Sequence, residues 1–155
     1  MSKIILEDTR NKPGKNAHIQ LQLERLGYKV ERTKLYCGDY TLPTNQKICI
    51  DTKQDLQEVC GNVTQQHERF QAECTRAKEA GIKLVILVQE QNITKLSEVA
   101  GWYNWRRKVS TKAVNGKTLY KIMSTFQERY GVSWMFCKKS EVGCKIIELL
   151  GEVND

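Results

Sequence analysis

Apolar positions in the first third of the chain switch between strand-like and helix-like spacing. The run KIILED predicts a first strand over residues 3–8. Ile19, Leu23 and Leu26 then recur at positions i, i+4 and i+7 before Gly27, which predicts an amphipathic helix with a glycine at its end. Next come YKVERTKL, a strand candidate, and CGDYTLPTNQKICIDTK, which predicts a hairpin-like pair of strands joined at PTNQ.

The remaining periodic segments continue this alternation of helix and strand. QQHERFQAECTRAKEAG predicts a helix, and IKLVILV, the most apolar run in the chain, predicts a central strand buried on both faces. They are followed by a helical stripe in TLYKIMSTFQERYG, a strand in VSWMFC and a helix in SEVGCKIIELL. Together the segments predict one α/β domain over residues 1–155, with a mixed central sheet flanked by helices.

One segment, GWYNWRRKVSTKAVNGK at 101–117, fits neither period, and we expect it to be an exposed loop on the sheet scaffold. It joins Trp102 and Trp105 to a set of basic residues: Arg106, Arg107, Lys108, Lys112 and Lys117. Basic side chains neutralise phosphates and aromatic rings stack on unpaired bases, so the loop suits branched or partly single-stranded DNA. The competing interpretation is a solvated run of charge beside two core aromatic residues.

Composition narrows the class without deciding the function. The 155 residues include 25 basic and 18 acidic side chains, a net charge of +7, which suits a polyanionic partner or simply a soluble basic protein. A hydrophobic content of 40% argues against disorder, and no apolar run has the length of a membrane span or a signal-peptide core. We therefore expect a protein of the bacterial or host cytoplasm, or of the nucleus in a eukaryote.

The six cysteines favour neither a disulfide framework nor a zinc site. They form no C-x-x-C pair, and no histidine stands at zinc-finger spacing. Free cysteines that act as small buried hydrophobes are the better expectation.

Candidate chemistry lies in the strand KICIDTK. Because side chains alternate between the faces of a strand, Asp51 and Lys53 share one face, roughly 7 Å apart along the chain. This is the D/E-x-K arrangement of metal-dependent nucleases, in which the carboxylate holds a divalent cation and the lysine orients the attacking water. The spacing alone is weak, and a surface Asp–Lys pair worth less than about 1 kcal/mol explains it equally well.

Two further acids add weight to the nuclease interpretation. The hairpin would bring Asp39 beside Asp51, and Asp8 ends the first strand, where functional groups of open sheets often emerge. Three carboxylates and a lysine at converging strand ends predict a Mg²⁺ site for phosphodiester hydrolysis. Of the two histidines, His18 and His67, neither is near the D-x-K motif in sequence.

The motifs LEDTR, GDY and IDTK, followed by a long helix and LVILVQE, resemble the nuclease domain of XPF-type excision-repair endonucleases. The likeness implies a restriction-endonuclease-like fold and a Mg²⁺-dependent DNA endonuclease, with Mn²⁺ able to replace Mg²⁺ and no small-molecule cofactor. The implied catalytic residues are Asp8, Asp39, Asp51 and Lys53. The implied metal ligands are the three acids and the Thr52 carbonyl oxygen, and the expected DNA contacts are Arg10, Arg69, Arg106, Arg107, Lys108 and Lys112.

The chain also departs from the family pattern. Asp51 stands where the family usually has Glu, and Asn11 stands where it often has Glu. The helix-hairpin-helix domain that usually follows is missing, which suggests a stand-alone viral or bacterial enzyme selective for branched, flap or junction DNA. The alternatives are a catalytically silent DNA-binding module and an RNA-directed nuclease. A homodimer is a weaker expectation, based on apolar residues of the last two helices such as Phe126 and Leu150.

Overall fold

A single six-stranded sheet forms the centre of the computed structural model, which describes residues 3–151. The strands lie in the order β2-β1-β3-β4-β5-β6. Their bounds are β1 Lys3–Asp8, β2 Tyr28–Thr33, β3 Tyr40–Leu42, β4 Asn45–Lys53, β5 Lys83–Gln89 and β6 Ser133–Cys137. Every strand predicted from the sequence is present.

The pairing of the strands makes the sheet mixed, as predicted. β1 runs parallel to β2, and β4, β5 and β6 run parallel to one another. Between these two groups, β3 is antiparallel to both β1 and β4, with an irregularity in its register against β4. β5 therefore has a strand on each side, and six of its seven residues are buried, as expected of a strand covered on both faces.

Helices cover both faces of the sheet. They are α1 Ala17–Arg25, α2 Leu56–Val63, α3 His67–Glu79, α4 Gly116–Tyr130 and α5 Val142–Leu149. One apolar core lies under α2, α3 and α4 and includes Phe70 and Met123; the other lies under α1 and α5 and includes Ile19 and Ile146. Five of the six cysteines are buried and Cys144 is exposed.

Two features differ from the sequence predictions. Helix α2 was not predicted; it begins after Asp55, whose carboxylate accepts a hydrogen bond from the Glu58 N–H, and it buries four of its eight residues. The prediction that Phe126 and Leu150 form an apolar face for self-association is wrong. Each is only 4% exposed and belongs to one of the two cores of the monomer.

The segment 101–117 is only partly a loop. It contains the end of a 3-10 turn at Leu96–Gly101, a second 3-10 turn at Trp105–Lys108, and the start of α4. Trp102 packs against the core beneath α4, whereas Trp105 is 55% exposed. Within residues 3–151, no helix is long and apolar enough to cross a membrane.

A buried charge network supports the first strand. Glu7 is fully buried, and its carboxylate accepts hydrogen bonds from the Tyr40 hydroxyl, the Gln20 amide and the Arg32 guanidinium. Arg32 also donates to the backbone oxygen of Asn11 at 2.6 Å. A buried carboxylate is tolerated only when it is paired and hydrogen-bonded. The three donors here come from α1, β2 and β3. The network fixes the turn that follows β1.

Candidate active site

The entry into β3 brings Asp39 against β4. Gly38 has φ +75, and a Cβ built there would lie 3.1 Å from both the Cys49 Cβ and the Ile50 oxygen, so glycine suits this position. The Asp39 N–H then donates to the Ile50 carbonyl at 2.7 Å. Asp39 Oδ2 accepts hydrogen bonds from the Thr52 N–H and hydroxyl, each at 2.8 Å. Asp39 is thereby held beside Asp51, as the hairpin pattern predicted.

Asp51 and Lys53 project from the same face of β4, toward α2 and α3. Asp51 Oδ2 lies 3.0 Å from Lys53 Nζ, and both side chains are largely buried, with 8% and 11% of their side-chain surfaces exposed. The ammonium also lies 5.5 Å from the centroid of the Phe70 ring. The pair is therefore not the exposed ion pair that formed the alternative interpretation.

Asp8 is near this pair, but its carboxylate already has hydrogen-bond partners outside the pair. Its N–H donates to the Asp39 carbonyl at 2.8 Å, which ties the end of β1 to the entry into β3. Its carboxylate accepts the Arg10 Nε–H at 2.7 Å and the Leu35 N–H at 3.0 Å. Arg10 also donates to the Leu35 carbonyl. Asp8 is thus neutralised by Arg10, whereas Asp39 has no cationic partner among the described ion pairs.

Burial and like charge leave the two central acids poorly compensated. Burial, together with the neighbouring Asp51 carboxylate, raises the pKa of Asp39 to about 6. Burial also raises the pKa of Asp51, although Lys53 opposes the shift. For Lys53, burial acts to lower the pKa, but the carboxylates of Asp51 and Glu58 outweigh it and raise the value. The set Asp39, Asp51 and Lys53 carries one excess negative charge when all three are ionised.

These residues lie in an open polar cleft of about 540 Å³. The cleft collects the predicted Asp8, Asp39, Asp51, Thr52 and Lys53 together with Arg10 and Arg69. The cleft also contains Asn11, which the sequence singled out only as a departure from the family pattern. The other polar residues in it were not predicted from the sequence: Lys15, Glu58, Asn62, Gln66, Glu73 and Arg76. Arg69, Glu73 and Arg76 stand at i, i+4 and i+7 on α3, so the polar side of that helix was a signal that could have identified them.

Two of the additional residues contact the entry into β3. Asn11 Nδ2 donates to Asp39 Oδ1 at 2.6 Å, and Glu73 accepts the Gly38 N–H at 3.3 Å. Asn11 therefore serves as a hydrogen-bond donor at a position where an acid was the family expectation. Together with Thr52, it fixes both oxygens of Asp39.

The donor set fits a divalent cation bound between Asp39 and Asp51. Asp51 Oδ2 is buried, and within residues 3–151 no group donates a hydrogen bond to it in suitable geometry, although the Lys53 ammonium is its ionic partner. Asp39 receives three hydrogen bonds, and since a carboxylate offers about four acceptor sites, one stays free. A divalent cation would also reverse the excess negative charge and relieve the raised pKa values.

The carboxylates of Asp8, Asp39 and Asp51 do not converge into the three-acid cluster expected from the sequence. Across residues 3–151, no three His, Cys, Asp or Glu side chains come close enough together to hold a metal ion. The engagement of Asp8 by Arg10 and the Leu35 N–H accounts for this, because its carboxylate is directed to those donors. The roles of Asp8 and of the Thr52 carbonyl as ligands stay predictions.

Neither histidine lies in the cleft. His18 Nε2 is 2.7 Å from Gln89 Oε1, and Gln89 donates to the Lys53 carbonyl at 3.0 Å. The His67 ring packs edge-on against Phe126, with the ring centroids 5.9 Å apart. His18 thus supports the end of β4 from α1, and His67 is part of the packing between α3 and α4. Glu24, an acid on α1, is exposed and is not among the residues that line the cleft.

The predicted basic residues of the loop lie outside this cleft. Arg106 and Lys112 line a separate groove together with residues of α2 such as Gln57 and Cys60. Arg107 and Lys108 are exposed on the 3-10 turn. Helix α2 separates the two depressions, because Gln57 faces the loop while Glu58 and Asn62 line the acidic cleft.

A mixed sheet that gathers acids and a lysine at neighbouring ends of β1, β3 and β4 is typical of an α/β domain of the restriction-endonuclease-like kind. A family model described as the ERCC4 domain matches residues 8–150. The chain therefore belongs to the ERCC4 domain family, which confirms the resemblance to XPF-type nuclease domains. A comparison with curated proteins gave no match.

Solved structures agree on the fold. XPF from Aeropyrum pernix has a TM-score of 0.67 and 20% identity, covering 95% of this chain and 63% of that one. XPF from Aeropyrum pernix in complex with DNA has a TM-score of 0.68 and 18% identity, covering 97% of this chain and 64% of that one. The chain thus spans less than two thirds of the length of these XPF structures.

Proposed function

We propose that this domain is a metal-dependent DNA endonuclease that hydrolyses phosphodiester bonds at the cleft between β3, β4 and α3. The observation that carries the proposal is the buried trio of Asp39, Asp51 and Lys53 in an open polar cleft. A buried acid pair with raised pKa values lowers stability, and such groups are typical of functional sites. Binding a cation against a phosphate is a function that this pair suits. Membership of the ERCC4 domain family supports the same activity.

Each residue has a distinct role in this proposal. Asp39 and Asp51 would hold the cation, which we expect to be Mg²⁺ with Mn²⁺ able to replace it. A divalent cation there supplies positive charge against the phosphate and favours ionisation of the attacking water. Lys53, whose raised pKa keeps it protonated at neutral pH, orients that water and offsets negative charge on the phosphate. Asn11 and Thr52 hold Asp39 in position.

Substrate contacts extend from the cleft. Arg69 and Arg10 border it and would contact phosphates near the scissile bond. Arg106, Arg107, Lys108 and Lys112 would contact phosphates beyond α2, which favours branched, flap or junction DNA over a short linear duplex. The Aeropyrum pernix XPF structure solved in complex with DNA supports DNA as the polymer bound here. We propose a cytoplasmic location, or a nuclear one in a eukaryote. A homodimer also stays a prediction, which sedimentation would test.

A panel of substrates tests the proposal. Flap, fork, four-way and linear DNAs, and a matched RNA hairpin, would be incubated with the protein in Mg²⁺ and in EDTA. We expect cleavage of branched DNA in Mg²⁺ only. Binding without cleavage would favour the silent DNA-binding module, and preferential cleavage of RNA would favour the RNA-directed nuclease.

The matched control for the panel is an acid-to-amide replacement at a residue outside the cleft. Glu24→Gln, on the exposed side of α1, should cut like the wild type, whereas Asp51→Asn should not. Equal activity of both variants would remove the cleft from the mechanism.

A further inference from the structure

The segment 102–108, which ends with the 3-10 turn Trp105–Lys108, carries an aromatic surface that the cleavage site does not use. Tyr103 is 57% exposed and Trp105 is 55% exposed, although large aromatic side chains normally bury most of their surface. We call Tyr103 and Trp105, together with the adjacent cations Arg106, Arg107 and Lys108, the aromatic platform. Trp102, next to them in sequence, packs into the core and does not belong to the platform.

A rigid anchor holds the platform in place. Between the two rings, Asn104 is only 3% exposed, and its side chain donates to the Val114 carbonyl at 2.8 Å and accepts from Gln57 of α2 at 2.7 Å. It also accepts the Arg106 N–H at 3.0 Å. The rings therefore project from a fixed turn, and binding a ligand on them costs little ordering of the backbone.

Charge on the platform indicates the chemistry of the ligand. The Arg106 guanidinium lies 5.6 Å from the centroid of Trp105, and the Lys108 ammonium lies 5.9 Å from the centroid of Tyr103. No acidic residue occurs between 101 and 117. Exposed rings beside cations suit a ligand that combines a planar group with an anion. A nucleotide is such a ligand, because its base stacks on a ring and its phosphate pairs with the positive charge.

The position of the platform relative to the cleft indicates which part of the DNA it takes. Gln57 of α2 touches the platform through Asn104, while the next residue, Glu58, lines the acidic cleft. The two sites are thus on opposite sides of one helix, about 10–12 Å across. Duplex DNA hides its base faces by stacking, so a ring can only stack on nucleotides that are unpaired.

We propose that Tyr103 and Trp105 form a stacking site for unpaired nucleotides of a single-stranded DNA arm, a few nucleotides from the bond at the cleft. This inference rests on the proposed function for its orientation, because the arm is taken to continue from the cleft across α2. It makes the platform the element that distinguishes a branched substrate from a continuous duplex.

The test measures binding in EDTA, so that it does not depend on cleavage. Fluorescence anisotropy would compare a blunt labelled duplex with duplexes that carry single-stranded extensions of 2 to about 10 nucleotides. We expect affinity to rise over the first few unpaired nucleotides and then to level off. Tryptophan fluorescence should be quenched on binding, chiefly from Trp105, since Trp134 is buried and Trp102 packs against the core.

Variants separate stacking from fold and from charge. Trp105→Ala and Tyr103→Ala should each reduce the affinity gained from the extension about 5- to 100-fold, while Trp105→Phe and Tyr103→Phe keep most of it. Leu21→Ala, which removes an exposed apolar side chain of α1, should leave the gain unchanged. Trp105→Ala should leave binding of the blunt duplex intact, which shows that the variant is folded.

Two results would overturn the inference: equal affinity for blunt and extended duplexes, or an extension gain that survives Trp105→Ala at full size. Failure of cleavage in Mg²⁺ with the extension gain intact would instead refute the nuclease proposal alone.

Discussion

The cleft and the aromatic platform both concentrate charge, but they hold it in opposite ways. In the cleft, Asp39 and Asp51 are 8% and 6% exposed. Asp39 is fixed by Asn11 and by Thr52 of β4, and Asp51 is paired with Lys53 of its own strand. On the platform, the basic side chains are exposed, and Arg106 and Lys108 lie over the rings of Trp105 and Tyr103. Buried charge must be compensated by the fold, whereas exposed charge remains solvated until a ligand arrives.

This contrast assigns different tasks to the two regions. The cleft keeps its acids in one geometry at the expense of stability, which suits chemistry that depends on position. The platform offers a fixed pair of rings with adaptable cations, which suits binding of a flexible polyanion. Changes in the cleft should therefore alter stability and chemistry together, and changes on the platform should alter only binding.

The largest stability effect is expected from the network behind the cleft. Arg32→Met leaves the fully buried Glu7 without its cation and frees the Asn11 turn, so unfolding free energy should fall by about 3–5 kcal/mol. Denaturant unfolding of the variant would measure this. The control is Arg25→Met at the exposed end of α1, expected within about 0.5 kcal/mol of the wild type. Equal losses in both variants would contradict the buried network.

A smaller change in the free energy of unfolding is expected when pH is varied. Because the folded-state pKa of Asp39 is about 6 and an unfolded aspartate titrates near 3.9, the folded state binds the extra proton between these values. Its contribution to stability is therefore greatest at low pH and declines as pH rises toward 6, by about 3 kcal/mol in all. Unfolding without divalent cations at pH 4.5 to 7.5 should show a shallower decline for Asp39→Asn. Identical pH slopes would contradict the uncompensated carboxylate.

The smallest stability effect is expected from the platform cations. Arg107→Ala with Lys108→Ala should change unfolding free energy by less than about 0.5 kcal/mol, because both side chains are exposed. Binding should nevertheless weaken for all DNA sequences, and the slope of log affinity against log salt should flatten by about 0.9 per lost phosphate contact. Lys138→Ala with Lys139→Ala, exposed near α5, is the matched control. An unchanged slope would show that these platform cations do not contact phosphates.

Strand and helix periods predicted most of the fold because they are local properties. The alternation in KICIDTK was enough to place Asp51 and Lys53 on one face, and the hairpin was enough to bring Asp39 beside them. Helix α2 escaped prediction because it is short and contains Gly61 and Asn62, so its stability comes from the four residues it buries rather than from propensity.

Properties set by distant partners were not predictable. Nothing local distinguishes Trp102, which packs into the core, from Trp105, which is exposed. Glu7 looked like the polar end of a strand, yet its partners are 13, 25 and 33 residues away. In the same way, the pairing of Asp8 with Arg10 and Leu35 depends on how the β2–β3 connection folds.

The most direct test of the central claim is a calorimetric Mg²⁺ titration combined with a cleavage assay on the wild type, Asp51→Asn and Lys53→Ala. We predict that Asp51→Asn loses both metal binding and cleavage while staying folded. Lys53→Ala should lose cleavage but keep metal binding, because the lysine is not a ligand. Cleavage by Asp51→Asn at a rate near that of the wild type would contradict the account and reduce Asp51 and Lys53 to a structural ion pair.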